Sequence, residues 1–260
     1  MRRIHLFEWE DQPWCPRALR DAGTAYLRVA ARVSGQTAKL SPKLVETLDR
    51  TGETRIVDLC SGGGGPLPEL VATLVSQGRD VRATLTDLYP NRAAFASVAS
   101  DPRVTVWDAP VDATAVPDAL PGLRTLFNSF HHLRPAAAKA VLADAARSNR
   151  PIAVFELVGR TPPMLLGMVF SPIGVLLLMP LTRPLRPAAL IFTYLIPLLI
   201  LLVLWDGIVS CLRVYSPREL AEMTASIDAP PGYTWDIGTI PMGPPGMRAT
   251  YLIGRPNPEP

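Results

Sequence analysis

The chain is short of cysteine, lysine and aromatic residues, and each shortage removes a class of protein. Only Cys15, Cys60 and Cys211 occur in 260 residues, scattered and without a Cys-x-x-Cys pair. That excludes a disulfide framework and a thiolate zinc site, and it suits a reducing compartment. No metal cluster is visible, so no metal is expected. Lys39, Lys43 and Lys139 are the three lysines, so the basic side chains are nearly all arginine. The formal charge is only +3 and forms no basic run or aromatic-interleaved patch, so no nucleic-acid partner is expected. The opening residues Met1 to Asp11 include positive charges with no apolar stretch behind them, so no secretory signal peptide is expected. The chain is rich in apolar residues, at 48%, and at this length it is one domain, perhaps with an appendage, with ample material for a core.

The stretch from Arg55 to Val75 organises the rest. Arg55 to Leu59 reads as a short buried strand, Gly62, Gly63, Gly64 and Gly65 as a turn, and Pro66 to Val75 as a helix with proline in its first turn. A strand, a glycine turn and a helix N-terminus bring bare backbone N–H groups and a positive dipole end to a ligand. A second apolar strand, Val81 to Asp87, ends in an acid roughly 25 residues past the glycines, near the spacing of a ribose-binding carboxylate.

On these residues the sequence resembles a class I S-adenosylmethionine-dependent methyltransferase. That family's first motif is an acid, one residue, then Gly-x-Gly-x-Gly. Here it reads Asp58-Leu59-Cys60-Ser61-Gly62-Gly63-Gly64, with Cys60 in place of the first glycine. Asp87, followed by Leu88, matches the ribose acid. Asp112 and Ala113 resemble the adenine-contacting loop after the third strand, and Asn128-Ser129-Phe130-His131-His132-Leu133 resembles the fourth-strand motif. The resemblance covers residues 55–133 and fades after about residue 156. It implies S-adenosylmethionine as cofactor and S-adenosylhomocysteine as product. Asp58, Leu59, Cys60, Ser61 and Gly62–Gly64 would lie at the methionine part, Asp87 and Leu88 at the ribose, Asp112 and Ala113 at the adenine, with Asn128 and Ser129 also at the cofactor.

Strands and helices alternate through the middle of the chain. A helix is expected at 91–98, strands at 104–107, 124–128 and 151–156, and an Ala-rich helix from Pro135 to Arg147. This pattern predicts a Rossmann-like seven-stranded methyltransferase sheet, mostly parallel, with helices on both faces and an antiparallel C-terminal edge hairpin from the strands at 234–240 and 249–253. Asp58, Asp87, Asp112, Asn128 and Glu156 all fall at or just after strand carboxyl ends, where such sheets bind ligands. His131, His132 and Glu156 are the candidate proton-handling residues. Their alternative roles are packing for the histidines and helix capping for Glu156. Before the core, a helix is expected from Arg17 to Val33 and a second from Pro42, capped by Ser41, to Leu48. In similar methyltransferases such an arm, here 1–50, lies over the cofactor, so Trp9, Trp14 and Tyr26 are candidate substrate contacts. The two tryptophans could equally staple the arm to the core.

Between the core segments 51–160 and 214–260 lies an insert, 161–213, that the resemblance does not explain. Met164 to Leu181 and Ala188 to Trp205 are apolar and uncharged, separated by a turn holding Arg183 and Arg186. As helices each would measure roughly 27 Å, barely the hydrocarbon thickness, and Pro172 and Pro197 would kink them. Three readings stand: two transmembrane spans, a hairpin dipping into one leaflet, or a lid or homodimer interface buried against protein. Neither segment has a polar face, which favours membrane contact. The expectation is therefore a methyltransferase at the cytoplasmic face of a membrane, acting on a small hydrophobic or lipid-like acceptor. The alternatives are a non-catalytic membrane scaffold that keeps the fold and a nicotinamide-dependent oxidoreductase. The latter lacks here the Tyr four residues before a Lys.

Overall fold

The computed structural model describes residues 1–90, 95 and 101–257, and a seven-stranded sheet lies at its centre. The strands are β1 (Arg55–Asp58), β2 (Arg82–Leu85), β3 (Val104–Val106), β4 (Leu123–Phe127), β5 (Ile152–Glu156), β6 (Tyr233–Pro241) and β7 (Arg248–Pro256). Their order is β3-β2-β1-β4-β5-β7-β6. The pairs β1–β2, β1–β4, β2–β3 and β4–β5 are parallel, and β7 runs antiparallel to β5. Every residue of β4 and β5 is buried, as expected of central parallel strands covered on both faces. An antiparallel β7 inserted between β5 and β6 departs from the 3-2-1-4-5-6 order of dinucleotide-binding folds, which argues against the oxidoreductase alternative.

By its contacts the chain forms two units. The sheet unit takes Thr37–Leu157, Tyr215–Ile240 and Ala249–Pro260. Its helices are α2 (Gln36–Thr51), α3 (Leu67–Ser76), α4 (Pro135–Arg147) and α9 (Pro217–Ala225). One core cluster joins Val57, Leu126, Val141, Ile152 and Leu252 from strands and helix with Tyr215. The α4 boundaries match the expectation. The α2 boundaries do not: the helix begins at Gln36 rather than Pro42, and Ser41 is a buried interior residue, not a cap. Leu40, Leu44 and Leu48 repeat every four residues and are all buried, so their packing carries the helix through Pro42 despite the lost N–H. The last strand, expected at 249–253, runs from Arg248 to Pro256. The helix expected at 91–98 lies outside the described residues apart from Phe95, which is buried. The last residues, 258–260, also lie outside them.

The helical unit takes Met1–Gln36, Val158–Val214 and Pro241–Arg248. It holds α1 (Arg17–Val33), α5 (Pro162–Val169), α6 (Ser171–Leu178), α7 (Pro187–Leu190) and α8 (Leu198–Arg213), with a 3-10 turn at Met179–Leu181 and a π turn at Ile191–Leu195. The arm and the insert, separate stretches of sequence, thus share one core in which Leu19, Ala22 and Tyr26 of α1 pack with Val175, Met179 and Leu202. The two apolar segments are broken helices, bent as their prolines predict. The first pair of helices bends by 45° between Val169 and Ser171, the second by 82° between Leu195 and Leu198. Pro172 in the first turn of α6 and Pro197 before α8 supply the cause, since neither can continue the preceding helix. Among the described residues no single helix is long and apolar enough to cross a membrane, and the bent pairs meet that test only jointly.

Polar contacts hold the N-terminal arm within this unit. Asp206 of α8 accepts from the backbone N–H of Trp9 at 2.7 Å and of Glu10 at 3.1 Å. Two turns further on, Arg213 is buried and pairs with Glu8 at 2.8 Å and Asp11 at 2.9 Å.

Candidate functional site

The site is built on the carboxyl ends of β1, β2 and β4. Asp58 closes β1 opposite Thr125 of β4 and is only 2% exposed. Thr125 Oγ1 donates to its carboxylate at 2.7 Å. Burial pushes the Asp58 carboxyl up to about 7, against the opposing effect of the Ser61 and Thr125 hydroxyls. Thr86, just past β2, donates through both N–H and hydroxyl to the Asp58 carbonyl, at 2.9 and 2.8 Å. Ser61 is the inward pin of the turn: its hydroxyl reaches the Asp58 carbonyl at 2.8 Å and its N–H the Thr86 carbonyl at 2.9 Å. These hydrogen bonds lock the turn to the ends of two strands.

Above this floor the turn is left-handed at Cys60, Gly62, Gly64 and Gly65, with φ of 55°, 52°, 93° and 49°. Cys60 is therefore the one non-glycine residue here in a conformation that disfavours a side chain. Its thiol is pushed up to about 12 by burial, then by the charges of Asp87, Asp58 and Asp112. That triple influence places Cys60 amid the three acids singled out in the sequence. It also makes the thiol inert as a nucleophile at neutral pH.

Asp87 follows β2, and its carboxylate accepts from Gly62 N–H and from Tyr89 N–H, both at 2.9 Å. The acid and the glycine amide assigned to one ligand by resemblance thus lie within a hydrogen bond of each other. Leu88 is exposed beside them. Asp112 folds its carboxylate onto Thr114, accepting from the N–H at 2.8 Å and the hydroxyl at 2.7 Å, and these bonds hold its pKa below the usual carboxylate value. Ala113 is buried in the core cluster, while Asp112 beside it is exposed. Leu59 is buried beneath the turn, its N–H bonded to Thr125.

After β4, Asn128 takes a left-handed φ of 51° and its side chain accepts from Leu157 N–H at 2.7 Å, tying the ends of β4 and β5 together. Ser129 Oγ is buried with no hydrogen-bond partner among the described residues. Phe130–His132 form a 3-10 turn, anchored by Phe130 against Tyr215, whose hydroxyl donates to the Leu133 carbonyl at 2.7 Å. His131 is buried against Glu156, its N–H 2.9 Å from Oε1 and its Nδ1 2.6 Å from Oε2. A carboxylate only accepts, so Nδ1 is the donor in this pair. The His132 ring lies 4.3 Å from that of His131, centroid to centroid.

The structure therefore gathers Asp58, Cys60, Ser61, Gly62, Asp87 and Asp112 around one turn and joins His131 to Glu156 through a short hydrogen bond. Trp9, Trp14 and Tyr26 belong to the helical unit. The rings of Trp9 and Trp14 meet edge-on at 6.1 Å, while Tyr26 is buried in that unit's core. Thr86 and Thr125 escape a reading of the sequence, because only strand register sets them against Asp58.

These features fit the group implied by resemblance. The turn holds the Gly62 amide against the Asp87 carboxylate, and a Cβ at Gly62 would meet no atom within 4 Å. A buried serine hydroxyl also lacks a partner at the end of β4.

No protein-family model matches the sequence, and no curated protein matches it. Solved structures do. The plantazolicin methyltransferase BpumL, in complex with SAH, aligns with a TM-score of 0.54 at 11% identity, over 95% of this chain and 92% of that one. The O-methyltransferase NcsB1 from neocarzinostatin biosynthesis, in complex with SAH and 1,4-dihydroxy-2-naphthoic acid, aligns with a TM-score of 0.52 at 18% identity, over 92% of this chain. Human N-acetylserotonin methyltransferase, in complex with SAM, aligns with a TM-score of 0.50 at 14% identity, again over 92% of this chain. The chain spans 59% of the length of NcsB1 and 57% of the human enzyme. With its strand order, antiparallel seventh strand and acid-ringed glycine turn, this chain has the class I methyltransferase fold.

Proposed function

We propose that the chain is an S-adenosylmethionine-dependent methyltransferase that acts on a small hydrophobic acceptor at a membrane surface. The observation that carries the reading is the convergence of Asp58, Asp87 and Asp112 on the left-handed turn at Cys60–Gly65, on a sheet with the methyltransferase strand order. Asp58 and the Gly62–Gly64 amides would hold the methionine part of the cofactor, Asp87 the ribose hydroxyls, and the backbone at Asp112 and Ala113 the adenine. Bound S-adenosylmethionine supplies a methyl group already activated by its sulfonium charge. What remains for the protein is alignment of the acceptor, exclusion of water and acceptance of a proton.

His131 would take the last role. Glu156 holds the ring through Nδ1, so Nε2 would be the basic nitrogen. Replacing His131 with Gln should lower kcat about 100-fold or more while S-adenosylmethionine affinity stays within about two-fold. An equal loss of affinity would make His131 a structural residue.

The acceptor class rests on two supports. Two of the neighbours are an O-methyltransferase in complex with 1,4-dihydroxy-2-naphthoic acid and an N-acetylserotonin methyltransferase, while a third is a plantazolicin methyltransferase, and the helical unit of this chain exposes Leu166, Phe170, Ile173, Leu177, Leu195 and Leu201 to solvent. An exposed apolar surface of that extent marks an interaction site. Location at a cytoplasmic membrane face is part of the same proposal, supported by the free cysteines.

Two measurements test the reading. Titration calorimetry should show saturable S-adenosylmethionine binding, weakened about 10- to 100-fold in Asp87→Ala through loss of two charge-assisted hydrogen bonds. Absence of binding in the native protein would overturn it. Methyl-labelled S-adenosylmethionine incubated with protein and host extract should then place label in the organic phase. Label confined to the aqueous phase would retain the transferase and reject the hydrophobic acceptor.

A further inference from the structure

The charge of the chain is divided unevenly between its two units. The helical unit carries eleven arginines, no lysine and five carboxylates, for a formal +6, so the sheet unit carries −3 of the chain's +3. Most of those five carboxylates are occupied internally. Glu8 and Asp11 pair with buried Arg213, Asp206 accepts two backbone N–H groups, and Asp21 pairs with Arg186 at 2.6 Å. The positive surplus is thus left to exposed arginines on the same unit that exposes its apolar side chains.

The turn between the two apolar segments localises this surplus. The Arg186–Asp21 pair ties that turn back onto α1. Carrying this turn across a bilayer would carry α1 and its four arginines with it, which favours contact from one side. Tyr194 also donates to the Leu176 carbonyl at 2.6 Å, closing the two bent segments on each other. Burial and the charge of Arg186 hold the Arg28 guanidinium below its ordinary pKa, opposed by Asp21. Arg28 Nε is buried with no hydrogen-bond partner among the described residues. Arg183, four residues before the start of α7, is exposed and spends Nη1 on the carbonyls of Pro180 and Thr182.

We infer that the helical unit docks on the surface of an anionic bilayer from one side, with its exposed leucines and Phe170 in the acyl boundary and Arg28, Arg183 and Arg186 at a lipid phosphate. Bent apolar helices flanked by arginine suit the headgroup boundary, where apolar area and cationic charge add. Leu177 and Leu195, 69% and 76% exposed, are the foremost apolar contacts. The inference rests on the membrane-surface reading above and adds the lipid charge and the one-sided mode.

The test is flotation of the full chain with vesicles of pure phosphatidylcholine and of phosphatidylcholine with phosphatidylglycerol. Binding to the anionic vesicles should be at least ten-fold tighter, should fall steeply between 0.1 and 0.5 M salt, and should drop about five-fold for each of Arg183→Gln and Arg186→Gln. Leu177→Glu with Leu195→Glu should weaken binding to both vesicles. S-adenosylmethionine binding should survive in every variant, which shows that the sheet unit is folded. Equal partition to the two vesicles would overturn the anionic site and leave membrane contact standing. No binding to either would overturn both while leaving the transferase, and a lipid-free dimer that hides the leucines would do the same.

Discussion

Asp58 is the side chain whose environment differs most from water. Its folded value of about 7 lies above the unfolded 3.8, so the native state holds the proton more tightly. Its contribution to stability is therefore complete below about pH 4 and is lost as the pH rises through 7. Asp58→Asn should remove that decline, gaining on the order of 2–4 kcal/mol over the native protein at pH 8 and little at pH 4. Denaturant melts at the two pH values would show it, and parallel pH profiles would refute it. If Asp58 holds the cofactor's amino group, binding at pH 6 must release its proton. The calorimetric enthalpy should then depend on the ionisation heat of the buffer at pH 6 and not at pH 8.5. Cys60 offers a second test. A left-handed L-residue costs about 1–2 kcal/mol, while glycine costs somewhat less in chain entropy. Cys60→Gly should therefore be neutral or stabilising by up to about 1 kcal/mol, and the β-branched Cys60→Val should destabilise.

The elements follow local rules that are visible in the sequence, except where packing overrides them. Ser216 caps α9 and the Glu219 carboxylate accepts from the Ser216 N–H at 2.8 Å, which completes a capping box of the Ser-x-x-Glu pattern. Ser216→Ala should cost about 1 kcal/mol in a thermal or denaturant melt. The entry to β4 is stricter. Gly122 has φ of 131°, and a Cβ there would lie 2.4 Å from the Arg55 carbonyl oxygen. Gly122→Ala should destabilise by at least about 2 kcal/mol and loosen β1 against β4, visible as faster amide exchange at Leu59. In α2 the order is reversed: Pro42 and Ser41 read locally as a start, yet Leu40, buried completely, holds the preceding turn in the helix.

Across the whole molecule, stability and surface are separable. The leucines proposed for membrane contact support little of the fold, because they are exposed, whereas Leu199 and Val175 in the helical core are fully buried. Leu177→Glu and Leu195→Glu should each change stability by no more than about 0.5 kcal/mol, while Leu199→Ala should cost about 2–5 kcal/mol. Similar losses at all three sites would mean that the exposed face is covered by protein.

The fold was legible early because parallel strands and their glycine turns follow from short-range rules. Period, proline position and acids at strand ends place β1 to β5, α3 and α4 without tertiary information. Asp58, Asp87 and Asp112 share a site for the same reason: a parallel sheet delivers every strand's carboxyl end to one edge. What required the tertiary structure depends on long-range packing or register. Thr125 meets Asp58 across 67 residues, His131 meets Glu156 across 25, and Arg186 meets Asp21 across 165. The union of the N-terminal arm with the insert is of the same kind, since two apolar faces far apart in sequence become one core only when the chain closes. Composition marked the insert as apolar and its prolines marked the bends, but the packing of the bent helices with α1 came only with the tertiary structure. Local propensity specifies a segment's conformation, whereas the partner of a side chain is selected by burial and charge over the whole chain.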